Sequence, residues 1–142
     1  MTDESSLKRI LGIDFGLKRI GLALSDPLMM FAYSFKTVLN DDKLWNELSG
    51  IITGQNISKI ILGYPLKESG KPSSITSDVL KFKKLLEEKF KREVILRDER
   101  YTSSIALEQI NQSVTKKSKR RDKGLLDRSS AAIILQGYLD EK

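Results

Sequence analysis

Three β-forming runs stand at the head of this chain before any helical period begins, and that order restricts the fold more than any other feature. Residues 8 to 15 are apolar enough for a buried strand. Gly16-Leu17-Lys18 supplies a tight turn, and Arg19-Ile20-Gly21-Leu22-Ala23-Leu24-Ser25 reads as the hairpin partner. A third strand is expected near Tyr33 to Leu39. The pattern then alternates. Asp41-Asp42 offers an N-cap with acids in the first turn, and Leu44, Leu48, Ile51 and Ile52 follow at helical spacing up to Gly54. Lys59 to Gly63 is a short buried strand ended by Tyr64-Pro65, and residues 67 to 73 read as loop. Ser73 or Ser74 can cap a helix to about Phe90, with Ile75, Val79, Phe82 and Leu86 on its apolar stripe. Glu93 to Asp98 is the last strand. A short helix over 103–111, a mobile segment over 113–123 and a closing helix over 125–139 complete the chain. A hairpin meander leading into alternating units predicts an α/β layered fold, with a mixed five-stranded sheet flanked by helices in a single domain over residues 1–142.

Composition removes several chemistries. The chain has no Cys and no His, so thiolate zinc sites, disulfides, Ser-His and Cys-His nucleophile systems and histidine-ligated metals are excluded. A hydrolytic site in such a chain must be built from carboxylates, which favours Mg²⁺ or Mn²⁺. No apolar stretch approaches the roughly 18 residues that a membrane span needs. The stretch Met1-Thr2-Asp3-Glu4-Ser5-Ser6 has neither a basic flank nor an apolar secretion segment. These features predict a cytoplasmic protein with no membrane partner. A net charge of +6 points to an anionic partner, with nucleic acid first.

Three acids sit where a carboxylate is awkward. Asp14 lies inside the apolar run Ile10 to Gly16, near the end of a strand, where ligands bind in α/β sheets. Glu99 closes the run Val94-Ile95-Leu96. Side chains alternate along a strand, so Asp98 and Glu99 point to opposite faces, and Glu99 is assigned to the site. Asp127, Ala131, Ile134 and Tyr138 fall at i, i+4, i+7 and i+11, on one stripe of the closing helix. Asp127 is therefore aimed at the sheet, and small Ser129, Ser130, Ala131 and Ala132 let that helix come close to it. A turn residue, a solvated strand end and a first-turn acid are the ordinary readings of the three. A charge beside a core is costly unless it is paired or binds a metal, and convergence of three acids answers that cost together. Two divalent ions roughly 3.5–4 Å apart, gripped by such acids, can bind the attacking water and the leaving oxygen of a phosphodiester.

Cations surround these positions. The segment Lys116-Lys117-Ser118-Lys119-Arg120-Arg121-Asp122-Lys123 holds six cations and one acid and ends four residues before Asp127. It is placed at the mouth of the site, where phosphate contacts give affinity without sequence reading. Lys18, Arg19 and Arg100 join Lys116, Lys117, Lys119, Arg120, Arg121 and Lys123 as expected nucleic-acid contacts. The hairpin Gly12 to Lys18 also suits a phosphate-binding turn of the sugar-kinase and actin-like ATPase kind. Those enzymes clamp ATP between two such domains, which this length does not provide.

With these residues in view, the chain resembles the YqgF family, also called RuvX-type. Leu11 to Gly16 with Lys18 to Asp26 is similar to the family's opening hairpin. Gly63-Tyr64-Pro65-Leu66, with Gly70 after it, is similar to its central loop. Asp98-Glu99-Arg100-Tyr101-Thr102-Ser103 is similar to its acidic motif, and Leu126-Asp127 followed by Ser130 to Gln136 to its final motif. The resemblance implies a ribonuclease H-like fold, metal-dependent nuclease chemistry at Asp14, Glu99 and Asp127, and maturation of the 5′ end of pre-16S rRNA in ribosome biogenesis. Resolution of Holliday junctions is the other activity it implies, so structured RNA or branched DNA is the expected partner. A two-fold symmetric junction favours a homodimer, whereas an RNA substrate is open to a monomer. A basic RNA-binding module without activity is the non-enzymatic reading. Its weakness is that a pure binder gains nothing from carboxylates facing phosphate.

Overall fold

The computed structural model describes residues 7–65, 74–99 and 123–141. Its strands are β1 (Arg9–Asp14), β2 (Arg19–Ser25), β3 (Ala32–Leu39), β4 (Ile57–Tyr64) and β5 (Glu93–Asp98), and its helices are α1 (Leu44–Gly54), α2 (Thr76–Phe90) and α3 (Lys123–Asp140). One five-stranded sheet runs in the order β3-β2-β1-β4-β5. The strands joined by short turns pair antiparallel, β1 with β2 and β2 with β3. Those reached through a helix, β4 and then β5, add parallel, because a parallel neighbour needs a long crossover.

The pleat divides the core in two. Leu11, Ile13, Leu22, Ile60 and Leu62 face one side and pack against Leu44, Leu48, Ile51 and Ile52 of α1 and Val79, Phe82 and Leu86 of α2. Phe15 extends this face, its ring 4.8 Å from that of Phe82. Ile10, Ala23 and Ile61 face the other side, which α3 covers with Ala131, Ile134, Leu135 and Leu139. Residues one step out of phase with Leu11, Ile13 and Phe15, among them Gly12 and Asp14, therefore look toward α3.

Some boundaries differ from the sequence-based expectation. β4 begins at Ile57, two residues early, and β3 at Ala32. Neither Asp41 nor Asp42 caps α1. Lys43 takes the N-cap position without a side-chain bond, and the Asp41 carboxylate accepts from the Lys43 N–H at 3.0 Å. An Asp bonding to its own backbone two residues on makes a turn in place of a cap. Helix α2 starts at Thr76 with Ile75 as N-cap and no side-chain cap, while the Thr76 hydroxyl donates to the Pro65 carbonyl at 2.7 Å. The closing helix is longer than expected at both ends. Ser73, the 67–73 loop, Arg100, the 103–111 helix and residues 113–122 lie outside the described residues. No helix among the described residues is long and apolar enough to cross a membrane.

Candidate active site

Asp14 ends β1 in a row that crosses the sheet: it pairs with Gly21 of β2, which pairs with Thr37 of β3. The first turns of α3 lie on this row. A Cβ on Gly21 would collide with the backbone carbonyl of Asp127, so only glycine admits the helix at this depth. The Thr37 hydroxyl donates to the Gly124 carbonyl at 2.5 Å and ties down the start of the helix. Asp127 is delivered beside Asp14 by backbone packing that Gly21 of β2 admits, whereas the sequence points to the small residues of the helix.

Glu99 comes from the opposite direction. Its N–H donates to the Tyr64 carbonyl at 3.2 Å, continuing the pairing one residue past β5. Arg97, two residues earlier, points to the α3 face: its guanidinium lies over Gly137 and donates two hydrogen bonds to the Glu141 carboxylate, at 2.7 and 2.8 Å. Alternation puts Glu99 on that same face, above Gly63, where a Cβ would stand 2.5 Å from Glu99 Oε2 and 2.8 Å from Ile134 Cδ1. Asp98 is exposed. The expected split between Asp98 and Glu99 is thus the observed geometry.

Asp14 and Glu99 come within hydrogen-bonding reach of each other. Two carboxyls can bond only if one keeps a proton, so their proximity favours holding one. Burial holds Asp14 well above the ordinary carboxylate range, and the charges of Glu99 and then Asp127 add to the effect. Glu99 is also raised, first by burial. The hydrogen bond from Asp14 pulls it back, and the nearby Asp98 charge pushes it up. Burial and mutual repulsion thus push the proton affinity of the pair as a whole upward.

Asp127 is differently engaged. Its Oδ2 accepts from Arg19 Nε at 2.8 Å, an ion pair with both side chains partly buried. Arg19, expected to touch nucleic acid, is held by this acid, while Lys18 in the adjoining turn is exposed. Among the described residues no three metal-ligating side chains stand close enough to grip an ion in this arrangement. The donor set still fits a hard divalent cation. Asp14 and Glu99 offer only oxygen, the donor that such a cation prefers. One turn beyond Asp127, Ser130 is 1% exposed and its hydroxyl has no hydrogen-bond partner among the described residues. A buried orphan hydroxyl calls for a partner, and the sequence pointed to Ser130 only as a small residue.

Lys116, Lys117, Lys119, Arg120 and Arg121 lie outside the described residues, as does the Lys123 side chain. Asp26, part of the opening hairpin motif, works locally. Its carboxylate accepts from the N–H groups of Phe31, Met30 and Leu28, and these bonds hold its pKa down.

Comparison with known proteins gives the family and the fold. The family described as "RuvX: Holliday junction resolvase" matches residues 8–141. A relative from Chlorobaculum tepidum is 42% identical over 138 residues, covering 96% of each chain. Another, from Azobacteroides pseudotrichonymphae, is 43% identical over 133 residues, covering 93% of this chain and 96% of the relative. Both bear the name "Putative pre-16S rRNA nuclease". Among solved structures, the fowlpox virus Holliday junction resolvase superposes with a TM-score of 0.56 at 19% identity, covering 94% of this chain and 99% of that one. Thermus thermophilus RuvC, solved with a Holliday junction substrate, gives a TM-score of 0.55 at 12% identity, covering 94% and 95%. At such identities the likeness is one of fold, and the fold is ribonuclease H-like.

Proposed function

The chain belongs to the RuvX family, and on that footing we propose that it is a metal-dependent nuclease that hydrolyses phosphodiester bonds in structured RNA, maturing the 5′ end of pre-16S rRNA in the cytoplasm. The observation that carries the reading is the half-buried Asp14–Glu99 pair on the α3 face with Asp127 beside it, in a chain of net charge +6. A site of carboxylates alone repels phosphate, so its presence in a cationic protein makes sense when a cation mediates between them.

Asp14 and Glu99 would hold Mg²⁺ or Mn²⁺, with Asp127 completing the set for one or two ions. When bound, such ions polarise the scissile phosphate and lower the pKa of the attacking water. The chain's own residues do the rest. Asp14 and Glu99 would offer a cation their ionised carboxylates. Glu99, anchored through its backbone to Tyr64, fixes the second carboxylate over Gly63. Lys18, Arg100 and the basic run from Lys116 to Lys123 bind backbone phosphates and set the substrate's path.

The family's description favours a second reading, resolution of four-way DNA junctions by the same acids. Cleavage assays on a pre-16S 5′ leader RNA and on a four-way DNA junction, each with Mg²⁺ and with Mn²⁺, separate the two. Preferential cleavage of the leader is expected. Preference for the junction selects the resolvase, and inactivity on both would leave a basic binding module.

A further inference from the structure

The three acids are not equivalent in the free protein. Asp14 and Glu99 face each other, whereas Asp127 Oδ2 is bound to Arg19 Nε at 2.8 Å. Arg19 and Asp127 are 108 residues apart in sequence, so the pair is a product of the fold. It has no evident part in docking the helix. α3 is seated by the close approach of its backbone at Asp127 to Gly21, by the Thr37 to Gly124 bond, and by Leu135 over Gly12. The Arg19 backbone is likewise fixed, because Asn40 bonds the Gly16 and Lys18 carbonyls on the turn before it. With both backbones held, the freedom left to the pair lies in its side chains.

Resting on the nuclease reading, we propose that Arg19 is a positioning residue: its guanidinium stands in for a cation on Asp127 in the free protein and yields that carboxylate when a divalent ion enters beside Asp14 and Glu99. The arrangement solves a local problem. Three carboxylates brought together without a metal would repel one another. The Arg19 guanidinium offsets the charge of Asp127 and so relieves part of that repulsion. Side-chain exposures of 35% for Arg19 and 22% for Asp127 leave the pair weak enough to be displaced. Loading the site then means exchanging Arg19 for the ion on Asp127, and the pair lowers metal affinity by the strength of its own bond.

The test is Mn²⁺ binding by isothermal titration calorimetry, without nucleic acid. Arg19→Gln should bind Mn²⁺ about fivefold more tightly than the native protein, the factor that matches an ion pair of about 1 kcal/mol. Arg19→Met, which keeps the apolar stem, serves if the Gln variant does not fold. Removing a positive charge near a metal site could raise affinity through space without any exchange, so the same change is made in an Asp127→Asn background. The gain should vanish there, because no carboxylate is left to release. An unchanged affinity in Arg19→Gln, or an equal gain in both backgrounds, overturns the exchange while leaving the metal site intact. Native-like Mn²⁺ affinity in Asp14→Asn overturns the metal site itself, and the exchange with it.

Discussion

Asp14 is a carboxyl whose affinity for a proton the fold raises, and its amide is nearly the same shape. Asp14→Asn therefore removes a charge that burial disfavours, and with it the carboxylate that a cation needs. Folding should survive, with a melting temperature equal to or above that of the native protein. Cleavage should disappear, and nucleic-acid binding should persist or tighten as repulsion toward phosphate falls. Near-native turnover in this variant would remove Asp14 from the site. The neighbouring acids at the end of β5 offer a sharper contrast. Glu99 faces Asp14, and Asp98 is exposed. Glu99→Gln should cost about a hundredfold or more in rate, the range seen when a group acting on the reacting atoms is lost. Asp98→Asn should spare most activity. Metal-dependent cleavage assays on the two variants decide, and the opposite ranking would mean that the site is built on the other face of β5. This split was legible in the sequence because it depends only on strand parity and on the strand ending at Asp98. Arg19's engagement with Asp127 was not, since nothing local to either residue names a partner on the far side of the chain. Asp26, the acid that closes the hairpin motif, serves three backbone N–H groups of its own loop.

Elements deliver these side chains, and two glycines set how closely they come. At Gly21 an added Cβ meets the backbone of Asp127 and the Arg128 nitrogen, at the start of a helix pinned by Thr37. Backbone cannot rotate out of the way, so Gly21→Ala should lift the front of α3 and destabilise the protein by about 1–3 kcal/mol, as overpacking does. At Gly63 the obstructing atoms are the ends of side chains, Glu99 Oε2 at 2.5 Å and Ile134 Cδ1 at 2.8 Å. These can swing aside, so Gly63→Ala should lose far less stability but displace Glu99 and depress cleavage. Thermal melts paired with rate measurements would reveal the crossing pattern, and equal stability losses in the two variants would contradict it. The elements themselves were readable because their apolar periods are strong: the α1 face of Leu44, Leu48, Ile51 and Ile52 and the β5 span Glu93–Asp98 coincide with expectation. Helix starts were not, since Asp41 can either cap a helix or close a turn on Lys43, and only the surrounding chain path selects between them. The early start of β4 at Ile57 follows from pairing with Arg9 across an irregular register, a tertiary constraint that a short apolar run does not carry.

At the scale of the whole molecule, charge governs both substrate and stability. Replacing Lys116, Lys117, Lys119, Arg120 and Arg121 with Ala should weaken nucleic-acid binding and flatten its dependence on salt. Each lost phosphate contact should lower the log–log slope by about 0.7 to 0.9. An unchanged slope would make the segment a solvated tether. Stability should carry the opposite signature, that of the acids. An acid whose pKa is raised by folding binds its proton more tightly folded than unfolded. Its contribution is complete below the unfolded pKa and is lost as pH rises through the folded one. Asp14 and Glu99 are both raised by burial. The metal-free protein should therefore lose stability as pH climbs from the ordinary carboxylate range through the raised values of this pair. Asp26 and Glu141, held low by hydrogen bonds, work in the other direction, but their contribution is lost as pH falls toward their own pKa values and so changes at lower pH. A cation binds the deprotonated pair and competes with its proton, so its stabilising effect must grow over the same rise in pH. The melting temperature in EDTA should decline with pH across that range, while the difference between saturating Mn²⁺ and EDTA widens. Asp14→Asn should flatten both trends. Parallel melting curves with and without Mn²⁺ at every pH would show that protons and metal do not share this site.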